Sequence, residues 1–232
     1  MLKDKKESRK YLVIIILIFL SVIIIGGIGT GIKLYSGLKD PSEIVNKYFE
    51  KITNNYSMNV KLYKREEEYK LDYMSDGTIE MYSSNTFSKT GYLIYKGNYY
   101  CLDNNELKKI SSIDINGMFN EKLYNINLIK ELLNECHFET MDLIRAKCLL
   151  NTKMFFEKYN KVFDENIEVT DEEEVPIEIL YNGNIIENLK IKYDNVVKKI
   201  NQNDENIEYD IKFDDINKND FSEYIPYIEK KN

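Results

Sequence analysis

The sequence has few of the residues from which catalytic and metal sites are usually built. It contains one histidine, His137, three cysteines and no tryptophan among 232 residues. Neither the G-x-S-x-G motif of α/β-hydrolases nor the H-E-x-x-H motif of zinc proteases occurs in it. Its carboxylate pairs, such as Asp214 and Asp215, are adjacent, so in a strand they would point to opposite faces. We therefore expect no enzymatic activity, no catalytic residues and no cofactor.

The cysteines are too few for a disulfide scaffold. Cys101, Cys136 and Cys148 are an odd-numbered set, whereas disulfide-rich domains use more cysteines in even numbers. One disulfide could form, with the choice of pair left open, and buried thiols acting as small hydrophobic groups are the alternative. His137 beside Cys136 has no C-x-x-C partner, so we expect no metal site.

Positive charge is scarce beyond the first ten residues. Residues 11–232 contain 27 Lys and Arg against 37 Asp and Glu, a net charge of −10. Nucleic-acid binding requires a basic surface and is therefore excluded. The acidic stretch Thr170 to Glu174 could bind a cation, but it lacks the spaced oxygen ligands of a calcium loop and is more simply a solvated loop.

The sequence does contain a long uncharged segment, residues 11–32. As a helix this segment would be about 33 Å long at ~1.5 Å per residue. That length matches a bilayer hydrocarbon core of roughly 30 Å, in which a helix satisfies its own backbone groups. We predict a transmembrane helix at residues 11–32, with the lipid bilayer as its partner.

The charges beside this segment predict its orientation. Five basic residues precede it (Lys3, Lys5, Lys6, Arg9 and Lys10), and only Lys33 and Lys39 follow closely. Since basic flanks stay inside, residues 1–10 should be a cytoplasmic tail, residues 33–39 a linker, and the remainder an extracytoplasmic domain of a single-pass cell-membrane protein. A cleaved secretory signal is the alternative, although its apolar region would span only about 7–15 residues.

Residues 40–217 predict one α+β domain. Asp40 and Pro41 suit the start of a helix, and strands with a period of two follow from Ser57 to Ile110, with tight turns at Asp76-Gly77 and Gly97-Asn98. Further helices are expected after Asn127 and from Asn151-Thr152 to Phe163, with a strand at 144–150 between them.

The end of the domain predicts three strands of an antiparallel meander, around residues 177–181, 189–193 and 207–213, with a hairpin turn at Asn182-Gly183. One helix cannot cover so much apolar sheet, so the sheet should curl and the later helices should fill its concave side. Residues 218–232 are expected to be a polar tail with weak helical character.

This order of elements resembles the LolA/LppX-like family of bacterial envelope lipoprotein carriers. The resemblance covers about residues 40–217, and its closest local matches are residues 175–183, 189–193 and 207–217. It implies a curved, half-open antiparallel sheet with helices on its concave face, which holds an acyl chain or another hydrophobic partner, and it implies no catalytic residues. The chain lacks the family's lipid-anchor cysteine and has a predicted span, which favours a tethered role.

Two functions remain open at this point. The first is a membrane-anchored binding module for a lipid or apolar peptide, whose ligand would contact Tyr95, Phe156, Ile179, Ile191 and Ile211. The hairpin from Tyr92 to Leu102 is apolar on both faces and could be a ligand wall, or more simply a strand pair buried on both sides. The second is a cell-envelope interaction or sensory protein without a small-molecule ligand, in which exposed tyrosines such as Tyr63 and Tyr82 contact a protein partner.

Overall fold

The structure, a computed structural model, describes residues 40–64, 67–84, 91–103, 106–112, 119–201 and 207–230. The predicted cytoplasmic tail, transmembrane helix and linker, residues 1–39, lie outside these ranges. None of the helices in these ranges combines the length and the hydrophobicity of a transmembrane helix.

The described residues contain eleven strands, five α-helices and a short 3₁₀ helix (Ser222–Tyr224). The helices are α1 (Pro41–Phe49), α2 (Ile126–Asn134), α3 (Thr152–Phe163), α4 (Asp194–Asn201) and α5 (Ile225–Glu229). The strands are β1 (Asn55–Lys64), β2 (Glu67–Asp76), β3 (Ile79–Ser84), β4 (Gly91–Tyr95), β5 (Asn98–Asp103), β6 (Glu106–Ile110), β7 (Glu139–Thr140), β8 (Arg145–Asn151), β9 (Glu174–Asn182), β10 (Ile185–Lys192) and β11 (Ile207–Asp214).

All eleven strands belong to one curved antiparallel sheet in the order β6-β5-β4-β3-β2-β1-β11-β10-β9-β8-β7. Strands β2 to β6 follow in order on one side of β1, and strands β11 to β7 follow on the other. The first and last strands of the chain meet at the centre of the sheet, where Ser57 pairs with Asp214 and Lys64 pairs with Ile207. The predicted α+β class with a curved antiparallel sheet covered by helices is therefore confirmed.

The three predicted hairpin turns are present, but each is shifted by one residue, since the residues that connect the strands are Gly77-Thr78, Lys96-Gly97 and Gly183-Asn184. At the β2–β3 turn, Asp76 Oδ1 accepts hydrogen bonds from the backbone N–H groups of Thr78 and Ile79, both at 2.8 Å. The β4–β5 hairpin turns at Lys96-Gly97, with φ values of +49° and +72°, and not at the predicted Gly97-Asn98. A two-residue turn of this type needs positive φ at both central positions. Because Tyr95 pairs with Asn98, these two positions are Lys96 and Gly97.

Two helices differ from the prediction. Helix α2 is capped by Asn125 and not by Asn127, because Asn125 Oδ1 accepts hydrogen bonds from the backbone N–H groups of Asn127 and Leu128 at 2.9 and 3.4 Å. Helix α4 interrupts the predicted closing meander, and its first residue, Asp194, accepts a hydrogen bond from the backbone of Ile207 at 2.7 Å. That bond connects the start of α4 to the start of β11.

The apolar residues form two cores on opposite faces of the sheet. The larger core lies between the concave face and the helices α1 to α4. The smaller core lies on the outer face of β3 to β6, where Ile79, Leu93 and Tyr100 pack with Ile228 of α5. Ile228 is fully buried, so this part of the segment predicted as a polar tail is a structural element that covers the outer face.

The structure also selects the cysteine pair that the sequence left open. Cys136, just after α2, forms a disulfide with Cys148 of β8 across a Cα–Cα distance of 5.6 Å. Cys101 of β5 remains a free, half-buried thiol. The disulfide fastens the end of the helical layer to the sheet.

Candidate functional site

The five residues predicted to contact a ligand lie on both faces of the sheet. Phe156, Ile179, Ile191 and Ile211 belong to the larger core, and each is at most 1% exposed. Tyr95 points to the outer face and belongs to the smaller core under α5. None of the five lines either of the two cavities described below. A ligand contact at these residues therefore stays a prediction.

A cavity of about 290 Å³ lies where the concave face of the sheet meets the helical layer. Strands β1 to β3, the segment before α2 and the end of α3 form its wall. We call it the tyrosine cavity, and its lining residues are Tyr56, Met58, Tyr73, Glu80, Tyr82, Glu121, Lys122, Tyr124, Asn125 and Phe163.

Strand register places the aromatic side chains of this wall side by side. Met58 of β1 pairs with Tyr73 of β2, which in turn pairs with Tyr82 of β3. Tyr56 lies two residues before Met58 and therefore on the same face. The ring centroids of Tyr56 and Tyr73 are 5.4 Å apart, and those of Tyr73 and Tyr82 are 5.0 Å apart. Three neighbouring strands thus present a continuous row of phenol rings.

The orientation of β3 could not be read from alternation alone. The sequence predicted Tyr82 as an exposed interface residue. In the structure Tyr82 is only 6% exposed and, with Glu80, lines the cavity, whereas Ile79 packs under α5. The prediction for Tyr82 was wrong because β3 is covered on both faces, so that both sets of alternating residues meet other protein groups.

The hydroxyl groups around the cavity differ in their hydrogen bonding. The Tyr82 hydroxyl donates to Glu80 Oε2 at 2.7 Å. The Tyr124 hydroxyl is buried and has no hydrogen-bond partner among the residues that the structure describes. Leaving a buried hydroxyl unpaired costs about 1–3 kcal/mol. The Tyr124 ring therefore lines the cavity with an unmet hydrogen bond, and its oxygen is closed off in the ligand-free protein.

The tyrosines of the cavity stay protonated at physiological pH. Burial raises the pKa of all four phenols, and the negative charge of Glu80 raises it further. For Tyr73 the pKa rises to about 12. Each phenol can therefore donate or accept a hydrogen bond but does not carry a negative charge.

The charges that line the cavity are acidic overall. Glu80 and Glu121 are carboxylates, and Lys122 is the cation among the lining residues that the structure describes. Lys122 forms an ion pair with Glu165, which raises the pKa of its ammonium group. The same ammonium lies 5.4 Å from the ring centroid of Phe163. The positive charge of Lys122 is thus already balanced by its own partners.

A half-buried apolar surface extends from the tyrosine cavity along the concave face towards the β6 edge. Tyr82 pairs with Tyr92, and Tyr92 pairs with Cys101 on the next strand. We call this surface the apolar strip, and its residues are Tyr92, Ile94, Tyr99, Cys101 and Ile110. The hairpin from Tyr92 to Leu102 is therefore buried on its outer face and only half-buried on its concave face.

A second cavity, of about 600 Å³, lies on the outer face between β5, β6 and the C-terminal segment. Its lining residues are Leu102, Glu106, Leu107, Glu223, Tyr224, Tyr227 and Lys230. The sequence did not indicate this cavity, because it depends on the packing of a segment predicted as a tail. It has no unpaired buried polar group among the residues that the structure describes.

Comparison with known proteins finds similarity in structure and none in sequence. No protein-family model and no curated protein sequence matches the chain. Among solved structures, it is similar to the Mycobacterium tuberculosis lipoprotein LppX, with 9% identity, a TM-score of 0.41, and coverage of 78% of this chain and 98% of LppX. It is also similar to LprF from Mycobacterium bovis, with 7% identity, a TM-score of 0.40, and coverage of 75% and 91%. The resemblance predicted from the order of elements is thus also found by structural comparison, and it concerns the fold alone.

Proposed function

We propose that this chain is a membrane-anchored extracytoplasmic module that binds an amphipathic ligand such as a lipid, without catalysis, between its sheet and helices. The polar group of the ligand occupies the tyrosine cavity, and its apolar part lies along the apolar strip. The observation that carries the proposal is a cavity lined by four buried tyrosines and two carboxylates, which adjoins this strip through the pairing of Tyr82 with Tyr92.

The size of the cavity supports this division of the ligand. Pockets for small molecules usually measure about 300–1,000 Å³, and the tyrosine cavity is at the lower end at about 290 Å³. That volume suits a polar headgroup better than a headgroup with a long acyl chain. The residues behind it, such as Val60 and Leu71, are fully buried, so the tail would extend sideways along the apolar strip.

The disulfide supports an extracytoplasmic location. Disulfides persist in oxidising compartments and are rare in the cytoplasm, and Cys136 pairs with Cys148. The same side of the membrane follows from the basic residues that precede the predicted span. Membrane fractionation with an alkaline wash tests the anchor. The full chain should remain in the membrane pellet, and release of a shortened soluble form would show instead that the segment is cleaved.

Ligand binding can be tested by unfolding the full chain in a neutral sugar detergent with and without added lysophospholipid. A ligand that binds only the native state stabilises it by about 2.7 kcal/mol at 100 times its Kd. Ile94→Ser in the apolar strip should reduce this stabilisation. Leu149→Ser, which replaces an apolar residue that is 53% exposed outside the strip, is the matched control and should not. If no lysolipid shifts the unfolding midpoint, the proposal fails.

A second candidate function, an envelope protein that binds another protein, is favoured by a different surface. Three residues of the β7–β8 loop and one at the start of β10 expose large apolar side chains: Met141 (47%), Leu143 (61%), Ile144 (50%) and Ile185 (59%). The backbone N–H of Tyr181 donates to the Ile144 carbonyl at 2.8 Å, which places this loop beside the β9–β10 hairpin. Exposed apolar patches often mark interaction sites. This alternative predicts that a photocrosslinker at position 143 traps one specific envelope protein and that lysolipids do not stabilise the domain.

A further inference from the structure

We infer that the tyrosine cavity recognises an organic ammonium group. This inference rests on the proposed function and adds the chemical class of the ligand's polar end.

The aromatic walls favour a cation. A positive ammonium group is attracted to the faces of aromatic rings, and several rings in different planes form a cage around it. The ring planes of Tyr56 and Tyr73 differ by 43°, and those of Tyr73 and Tyr82 differ by 65°. Phe163 contributes to the opposite wall, where its ring already has the Lys122 ammonium 5.4 Å from its centroid.

The charges of the wall disfavour an anion and favour a cation. Glu80 and Glu121 face the cavity, and the positive charge of Lys122 is taken up by Glu165. The Glu80 carboxylate is held in place by the Tyr82 hydroxyl at 2.7 Å. A phosphate or carboxylate in this space would be repelled by both glutamates, whereas an ammonium would be attracted by them.

On binding, a small rotation of the Tyr124 ring brings its buried, unpaired hydroxyl to the ligand as a hydrogen-bond acceptor. Tyr124 is 4% exposed and lines the cavity, and its oxygen lacks a partner within the described ranges. A phenol oxygen can accept a hydrogen bond from the N–H of a primary ammonium. A quaternary ammonium has no N–H and would use only the rings and carboxylates. The two kinds of ammonium should therefore depend differently on Tyr124.

The ammonium could belong to a lipid headgroup or to a free amine, and the probes distinguish these sources. We suggest binding titrations of the full chain in a neutral sugar detergent. The probes are lysophosphatidylethanolamine, lysophosphatidylcholine and lysophosphatidylglycerol of equal acyl length, together with free ethanolamine. Both zwitterionic lysolipids should bind more tightly than lysophosphatidylglycerol. Free ethanolamine should bind as tightly as the lysolipids only if the natural ligand is a free amine, and in that case the ammonium inference stands while the lipid proposal fails.

Glu80→Gln is the central variant, because it removes the charge and keeps the shape. It should weaken binding of lysophosphatidylethanolamine about tenfold, which corresponds to about 1.4 kcal/mol, and leave lysophosphatidylglycerol nearly unchanged. Glu187→Gln, at an exposed position of β10, is the control and should change neither. Tyr124→Phe is the second variant, and it should weaken the ethanolamine lipid but not the choline lipid.

Two results would overturn the inference. If lysophosphatidylglycerol binds as tightly as the zwitterionic lipids and Glu80→Gln has no effect, the ammonium inference is wrong, while the proposed binding of amphipathic ligands stands. If none of the four probes binds, both fail. Circular dichroism of each variant confirms that a loss of affinity is not a loss of fold, and Tyr124→Phe supplies the test should Glu80→Gln not fold.

Discussion

The unpaired hydroxyl of Tyr124 makes an unusual prediction, namely that removing a polar group stabilises the ligand-free protein. Tyr124→Phe deletes the phenol oxygen and keeps the ring, whose centroid lies 6.5 Å from that of Phe119 and 6.3 Å from that of Tyr209. A buried hydroxyl without a partner costs about 1–3 kcal/mol. Because the ring packing is unchanged, the free energy of unfolding should rise by about 1 kcal/mol in the variant.

Tyr193→Phe is the matched control for this experiment. The Tyr193 hydroxyl is also buried, but it donates to the Leu123 carbonyl at 2.7 Å. Removing it leaves that carbonyl unpaired, so the free energy of unfolding should fall by about 1–3 kcal/mol. Urea unfolding of the full chain, with equal m values for parent and variants, measures both changes. If Tyr124→Phe destabilises the protein as much as Tyr193→Phe does, the Tyr124 hydroxyl is hydrogen-bonded in the native state. The assignment of an unpaired hydroxyl to the wall of the cavity is then wrong.

Three further predictions concern the larger core, the disulfide and alkaline pH. Phe156→Ala should lower the free energy of unfolding by about 3–5 kcal/mol, whereas Leu149→Ala, at a half-exposed position, should change it by less than about 0.5 kcal/mol. Similar losses of stability in the two variants would contradict the assigned core. Replacing Cys136 and Cys148 together by Ala should lower the free energy of unfolding by about 3 kcal/mol, because the disulfide closes a short loop in the unfolded chain. Cys101→Ala is the control, and equal stability of the parent and both variants would argue against the disulfide. Burial raises the pKa of Tyr73 from 10.0 to about 12, so its contribution to stability is complete below pH 10.0 and is lost as the pH rises through about 12. The free energy of unfolding in urea should therefore fall more steeply across this pH range in the parent than in Tyr73→Phe, and equal slopes would refute the assignment.

Much of the fold could be predicted because its signals are local. The start of α1 at Pro41 and the hairpins next to Gly77 and Gly183, each within one residue of its predicted place, depend on a few residues with strong turn or capping preferences. Alternation over β1 and β2 correctly identified the residues that face the larger core. The order of these elements was then sufficient to indicate the curved sheet.

The tyrosine cavity could not be predicted because it depends on contacts between distant parts of the chain. The inward orientation of Glu80 follows from its pairing with Ser75 and from the cover that α5 places on the other face of β3. Tyr124 lies in a stretch, residues 111–126, that has no clear periodicity. The available signal was strand alternation. Tyr56 is two residues from Met58 and Tyr73 is two residues from Leu71, so both tyrosines lie on the core face of their strands. Helix α4 was missed because its eight residues are too few for a periodic pattern to stand out.

The free thiol of Cys101 allows the most direct test of the central claim, that an amphipathic ligand binds along the concave face. Cys101 lies half-buried in the apolar strip, and the other two cysteines are held in the disulfide. The rate at which a small alkylating reagent modifies Cys101 can be followed by mass spectrometry while lysophosphatidylethanolamine is titrated. We predict that the rate falls with increasing lipid and reaches half its initial value at the Kd obtained from unfolding. A rate that stays constant while the lipid stabilises the protein would place the ligand elsewhere and contradict the account.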